Sequence, residues 1–159
     1  IKINPKYTNA YYNKGLILQE LKNIKLAKEN YDQAIKIDPN HIQAHNNKGF
    51  ALQQLKKFDE SLKSYHRAFQ IDPNFNFLLG KIIHTKNLIC YWESLDKTLN
   101  MLKNKLNKNE AASLPFAILS LYDLPLLQKK TAEIFIKKNL PIKKFQNLFQ
   151  KLYKIKKYV

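Results

Sequence analysis

Apolar residues return at intervals of three and four along most of the chain, the spacing of one face of an α-helix. Phe58, Leu62, Tyr65 and Phe69 stand at i, i+4, i+7 and i+11, and Leu52 and Leu55 mark a separate stripe just before them. The pattern therefore predicts two helices, one after the other. Each such pair closes on the same punctuation, Ile37-Asp38-Pro39-Asn40 and then Ile71-Asp72-Pro73-Asn74, with Ile3-Asn4-Pro5 as an earlier partial copy. Proline cannot continue the helical hydrogen-bond ladder and disfavours helical geometry in the residue before it, so each of these steps ends a helix. Pro5, Pro39 and Pro73 are spaced 34 residues apart, and the step is an internal repeat.

Residues 8–41 align under residues 42–75 without a gap: Ala10 falls on Ala44, Asn13 on Asn47, Gly15 on Gly49, Leu18 on Leu52, Tyr31 on Tyr65 and Ala34 on Ala68. A unit of this length with glycine at its eighth position, a small residue at the twentieth, an aromatic at the twenty-fourth, alanine at the twenty-seventh and proline at the thirty-second resembles the tetratricopeptide (TPR) family. Those positions are Gly15, Ala27, Tyr31, Ala34 and Pro39, then Gly49, Ser61, Tyr65, Ala68 and Pro73. Small residues let the helices of a hairpin approach closely while the aromatic fills the space that remains. Two positions depart from the family pattern: Ser61 replaces an alanine, and Lys14 and Lys48 stand where leucine is common. The resemblance implies an all-α, right-handed α-solenoid whose units stack through Tyr31, Ala34, Tyr65 and Ala68, because no unit buries its apolar face alone.

After Pro73 the next glycine is Gly80, off the 34-residue step. Helical stripes persist through Phe77, Ile82 and Ile83 and through Leu95, Leu99, Leu102 and Leu106, which predicts a degenerate third hairpin or cap over 76–106. The polar run 107–113 reads as a boundary. Residues 107–159 then read as a helical extension, with Pro125 opening a helix to about Lys138. A second helix, opened by Pro141, would carry Ile142, Phe145, Phe149 and Leu152 on one face. Residues 1–75 are the repeat region, beginning with a partial unit.

Composition changes this picture little. The net charge of +16 would suit a polyanion, yet Arg67 is the sole arginine, and arginine is the residue suited to bidentate contact with phosphate and guanine. Specific nucleic-acid binding is therefore not expected. Cys90 is the sole cysteine, so neither a disulfide framework nor a cysteine-rich zinc site is expected, and a reducing cytoplasm is the default. No apolar run reaches the roughly 20 residues that span a bilayer.

No phosphate-binding loop, nucleophile elbow or metalloprotease motif is present, and no cofactor or metal is expected. His41 and His45 lie four apart, but His41 falls at the repeat turn and His45 at a packing position, and zinc wants three or more protein ligands. Met101 is expected in the core, and Asp59 and Glu60 at a solvated helix start. Asn13 and Asn47 are the candidate site residues. Both fall at the sixth position of a first helix, on the inner wall of the expected solenoid, where side-chain amides with two donors and one acceptor can hold an extended peptide by its backbone.

The stretch 88–102 with Cys90 and Trp92, followed by Ser113-Leu114-Pro115-Phe116 and by Pro125 and Gln128, resembles the region that joins TPRs to the catalytic part of bacterial O-GlcNAc transferase-like (SPINDLY-like) glycosyltransferases. That resemblance implies an acceptor-recognition front end with a catalytic domain in cis, and no catalytic or UDP-binding residue among these 159. The isolated chain is accordingly expected neither to hydrolyse UDP-GlcNAc nor to bind it. Cys90 and Trp92 are expected as a buried thiol and an aromatic plug at the end of the solenoid. The alternative is a stand-alone TPR adaptor that scaffolds other proteins. The lysine-rich segment from Ile142 to Lys157 is expected to pack its amphipathic face on another domain, and the alternative is contact with a membrane surface or polyanion.

Overall fold

The computed structural model describes residues 5–119 and 125–139, and the expected helix after Pro141, with its lysine-rich segment, lies outside the described residues. Among those described there are eight helices and no strand. Two regular hairpins come first: α1 (Pro5–Glu20) with α2 (Ile24–Ile37), and α3 (Ile42–Gln54) with α4 (Phe58–Ile71). They are followed by α5 (Leu78–Leu88), α6 (Leu95–Asn107), the short α7 (Pro115–Leu119) and α8 (Pro125–Asn139). The all-α solenoid expected from the repeat is what the chain forms. α1 begins at Pro5, three residues before the first full unit, so the described residues of the partial unit form the opening turn of α1.

Each local feature recurs at the repeat spacing. Inside the hairpins, Lys22 and Lys56 take left-handed backbone at φ 62° and 59°. Beside them the amides of Asn23 and Lys57 reach back to the carbonyls of Leu18 and Leu52 at 2.8 and 2.9 Å, which closes the helix end and turns the chain. Between the hairpins, the Asp38 and Asp72 carboxylates accept from the amides of Asn40 and Asn74 at 3.0 and 2.8 Å. The aspartate thus holds the turn that the following proline makes unavoidable.

Packing follows the repeat as well. Tyr31, Ala34, Tyr65 and Ala68 are completely buried. A side chain beginning at Gly15 would meet the Tyr31 ring at 2.5 Å and one at Gly49 would meet the Tyr65 ring at 2.6 Å, so in both hairpins the glycine is what lets the aromatic lie flat against the facing helix. Ser61, the departure from alanine, donates its hydroxyl to the Gly49 carbonyl at 2.7 Å. Lys48, the departure from leucine, forms an ion pair with Asp32 of the preceding hairpin at 2.5 Å, and Lys28 completes the cluster at 2.7 Å.

The third unit is built differently. α5 packs on α4 through Leu78 and Ile82, which join Leu62, Tyr65 and Ala68. Its other side, with Leu79 and Ile83, joins Leu99, Leu102 and Leu106 of α6, Ile118 of α7 and Ile134 of α8 in a second core, against which Met101 packs half-buried. Residues 110–113, within the run that reads as a boundary, are not a free linker: Ala111, Ala112 and Ser113 are buried against α5. The expectation for Cys90 and Trp92 is corrected. Both are exposed, Trp92 to 62 %, because left-handed backbone at Cys90 and Ser94 turns the α5–α6 connection outward. Lys86 braces that turn, donating to the Glu93 carbonyl at 2.9 Å.

Candidate functional site

The 34-residue step places Asn13 on α1, Asn47 on α3 and, one step further, Lys81 on α5 at equivalent positions. One hydrogen-bonded chain runs across these three helices. Lys81 Nζ donates to Asn46 Oδ1 at 2.8 Å, Asn46 Nδ2 donates to Asn47 Oδ1 at 2.9 Å, and Asn47 Nδ2 donates to the Tyr12 hydroxyl at 3.1 Å. The two links between helices join residues 35 apart in each case, the same contact made twice by successive units. Asn13 is exposed. Asn47 is half-buried and its amide is engaged, because the Tyr12 hydroxyl reaches it.

Lys81 is the functional candidate that the search for glycines passes over. With the eye on residue 83 for a third glycine, the register looks lost at Gly80, yet the step from Asn47 lands on Lys81 inside α5. Burial pushes its amine down from 10.5 to about 8. No ion pair to it occurs among the described residues. An ammonium has three donors and Asn46 takes one, which leaves two for an acceptor from outside.

Beside Lys81 a cavity of about 510 Å³ opens between the C-terminal half of α3, α5 and the start of α7. Phe50, Gln53, His84, Leu88 and Leu114 line it together with Lys81, an apolar wall with a few polar groups. Such a lining suits a side chain or short segment that carries both apolar surface and a negative group.

The two histidines are occupied by local structure. His41 Nδ1 accepts from the Ala44 amide at 3.2 Å and caps α3, while His45 Nε2 lies 3.0 Å from the Pro39 carbonyl. Burial holds the His45 imidazole below its ordinary value, so it is neutral and donates that hydrogen bond. Asp59 and Glu60 are exposed in the first turn of α4, where negative charge suits the helix N-terminus.

With the hairpins and this face described, the class of protein is defined: an array of helical repeats presenting a polar stripe across its first helices. The tetratricopeptide repeat family model matches residues 8–41 and 42–75, so the region 8–75 is two tandem TPRs. A search of curated proteins returns no match. Tandem TPRs point to protein–protein interaction or scaffolding. Among the described residues, no helix is long and apolar enough to cross a membrane.

Proposed function

We propose that this chain is a peptide-binding TPR module, an adaptor that holds an extended protein segment across the face formed by Asn13, Asn47 and Lys81. The observation that carries the reading is the ordered chain Lys81–Asn46–Asn47–Tyr12, which ends at a partly buried ammonium with no carboxylate partner among the described residues. The exposed Asn13 amide, with the one donor and one lone pair that Asn47 keeps after bonding Tyr12 and Asn46, holds the backbone of the bound segment, the cavity takes an apolar side chain, and Lys81 takes an acidic group. The lysine-rich surface adds screened attraction for an acidic partner. The single exposed thiol, Cys90, fits a reducing cytoplasm.

The narrower reading, the acceptor-recognition front end of an O-GlcNAc transferase-like glycosyltransferase with its catalytic domain in cis, rests on residues 88–132. No curated relative supports it. Two of the residues that carry it, Cys90 and Trp92, lie on the surface rather than in the core.

The test is binding of a capped decapeptide containing alternating glutamate and leucine, followed by the fluorescence of Trp92 or by calorimetry. Two and a half units supply few contacts, so the expected Kd is roughly 0.1 to 1 mM. Lys81→Gln keeps a donor for Asn46 but removes the charge and should weaken binding about five-fold or more. The double change Asn13→Ala with Asn47→Ala should weaken it comparably while the protein stays folded. If both variants bind as the wild type does, and 0.5 M salt abolishes binding in all of them, lysines alone hold the peptide and the groove is refuted.

A further inference from the structure

The inner side of α5 differs from the corresponding sides of α1 and α3 in being covered. After α6 the chain turns back and crosses α5 near its N-terminus before entering α7. The Phe77 amide donates to the Ala111 carbonyl at 2.6 Å and the Gly80 amide to the Ala112 carbonyl at 2.9 Å. Ser113 fills the space where a side chain of residue 80 would begin: a Cβ there would stand 2.6 Å from Ser113 Cβ and 2.8 Å from its Cα. The repeat step makes Gly80 equivalent to Tyr12 and Asn46, the two residues that receive the hydrogen bonds between helices. A non-helical strap of this chain thus lies on the third helix at the position that the half-buried Tyr12 and the buried Asn46 hold on the first two, beside the stripe on which Asn13 is exposed.

We propose that the inner side of α5 is a further peptide subsite, filled here by residues 110–114, and that a partner segment of the same chemistry, an acidic residue followed by small ones, takes it when the strap lifts. The proposal rests on the groove reading above and extends it by one helix. The occupant shows what the subsite accepts. Two backbone carbonyls meet the Phe77 and Gly80 amides, the notch at Gly80 admits only small side chains, and Lys105 pairs with Glu110 at 2.8 Å. The strap is suited to exchange. Its buried side chains are two alanines and a serine, and its ion pair has a glutamate side chain 40 % exposed, a pairing that contributes little. Leu106 before it and Ile118 after it are anchored in the core, whereas Ala111 and Ala112 join the same cluster with only a methyl group each, so lifting is confined to 110–114 and exposes little apolar surface. Tethering keeps the strap at a high effective concentration, so a partner competes poorly against it in the wild type.

The test lifts the strap while leaving α5 untouched. Ser113→Leu cannot fit against Gly80, and hydrogen exchange at the Phe77 and Gly80 amides should quicken by about ten-fold or more. The probe is a labelled, capped hexapeptide of residues 109–114, Asn-Glu-Ala-Ala-Ser-Leu. It should bind the variant about ten-fold tighter than the wild type and restore protection at both amides. Glu110→Lys, which sets two cations together at the surface, should act in the same direction by about three-fold, and it decides the matter if Ser113→Leu does not fold. Faster exchange with no gain in hexapeptide binding overturns the proposal, as does unchanged exchange in folded Ser113→Leu. If the hexapeptide fails on the lifted variant while the glutamate–leucine decapeptide still binds the wild type, the subsite is wrong and the groove stands. If the decapeptide fails and the hexapeptide binds, the fault lies with the groove reading.

Discussion

The first two hairpins and the third unit solve the same packing problem in different ways. In the hairpins, a glycine on the first helix receives the ring of a tyrosine from the second, Tyr31 against Gly15 and Tyr65 against Gly49. In the third unit the glycine receives a serine from a non-helical strap, and α6 meets α5 far less extensively than α2 meets α1. A close approach between two helices is local and repeats with the sequence. The approach of a strap from thirty residues away is specific to one place. The regular units gain stability from repetition, and the third unit has turned the same notch into a place where chain is laid down and can be exchanged.

Substitution at the glycines should show the largest effect. Gly49→Leu drives a side chain into the fully buried Tyr65 ring, which α4 holds from behind, and should cost about 3 kcal/mol or more. Gly80→Leu meets Ser113 instead, and the strap can move aside, so the cost should be about 1 to 2 kcal/mol. Urea unfolding of the two variants measures this. Equal losses would mean that the strap is as fixed as a helix, and the contrast between the units would fall.

The next effect belongs to Lys81, which stands where the regular units carry neutral asparagines. Its amine is lowered from 10.5 to about 8 by burial, so between those values the unfolded chain holds a proton that the folded chain has released. Stability should therefore rise with pH across that window, and the cost of the charged lysine is fully present below pH 8. Lys81→Gln should be about 1 kcal/mol more stable at pH 7, allowing for the side chain's remaining contact with water, and the advantage should shrink towards pH 9.5. A constant difference between the two proteins over that range would show that Lys81 is hydrated like a surface lysine.

What the sequence revealed and what it hid divide along the same line. Gly15, Tyr31, Pro39 and their counterparts were legible because each contact lies within 34 residues of its own copy, so periodicity alone exposes it. Lys48 also stood out, as a departure from the pattern, but its partner Asp32 could not be read off because ion pairing leaves no periodic trace. The strap was invisible for a stronger reason. Ala111 and Ala112 bond through their carbonyls, which every residue has, and Ser113 is chosen only for being small. Trp92 and Cys90 are exposed although their residue types favour burial on average, because left-handed backbone at Cys90 and Ser94 turns the connection outward. Lys81 is legible in the 34-residue step from Asn47, which the displaced glycine at position 80 masks. Asn13 and Asn47 were placed on the right helices, but the bond from Asn47 to Tyr12 depends on a side-chain reach that spacing does not encode.

The smallest effect separates the two regular hairpins from each other. Tyr31 donates its hydroxyl to Gln19 Oε1 at 3.1 Å, and burial pushes its phenol up to about 12. In the second hairpin Gln53, the counterpart of Gln19, lies at the cavity, and the buried Tyr65 hydroxyl, with the Ser61 hydroxyl near it, makes no hydrogen bond of ordinary geometry among the described residues. Removing a satisfied hydroxyl loses a hydrogen bond, whereas removing an unsatisfied one relieves a desolvated polar atom. Tyr31→Phe should therefore destabilise by about 0.5 to 1.5 kcal/mol, and Tyr65→Phe should be neutral or stabilise by up to about 1 kcal/mol. The midpoints of urea unfolding for the two variants, taken at pH 7 with unchanged slopes, give the sign directly. Equal losses would mean that the Tyr65 hydroxyl donates to the Ser61 oxygen in solution while Ser61 keeps donating to Gly49, and that serine then stands in place of alanine at position 61 to satisfy the aromatic as well as the backbone of α3.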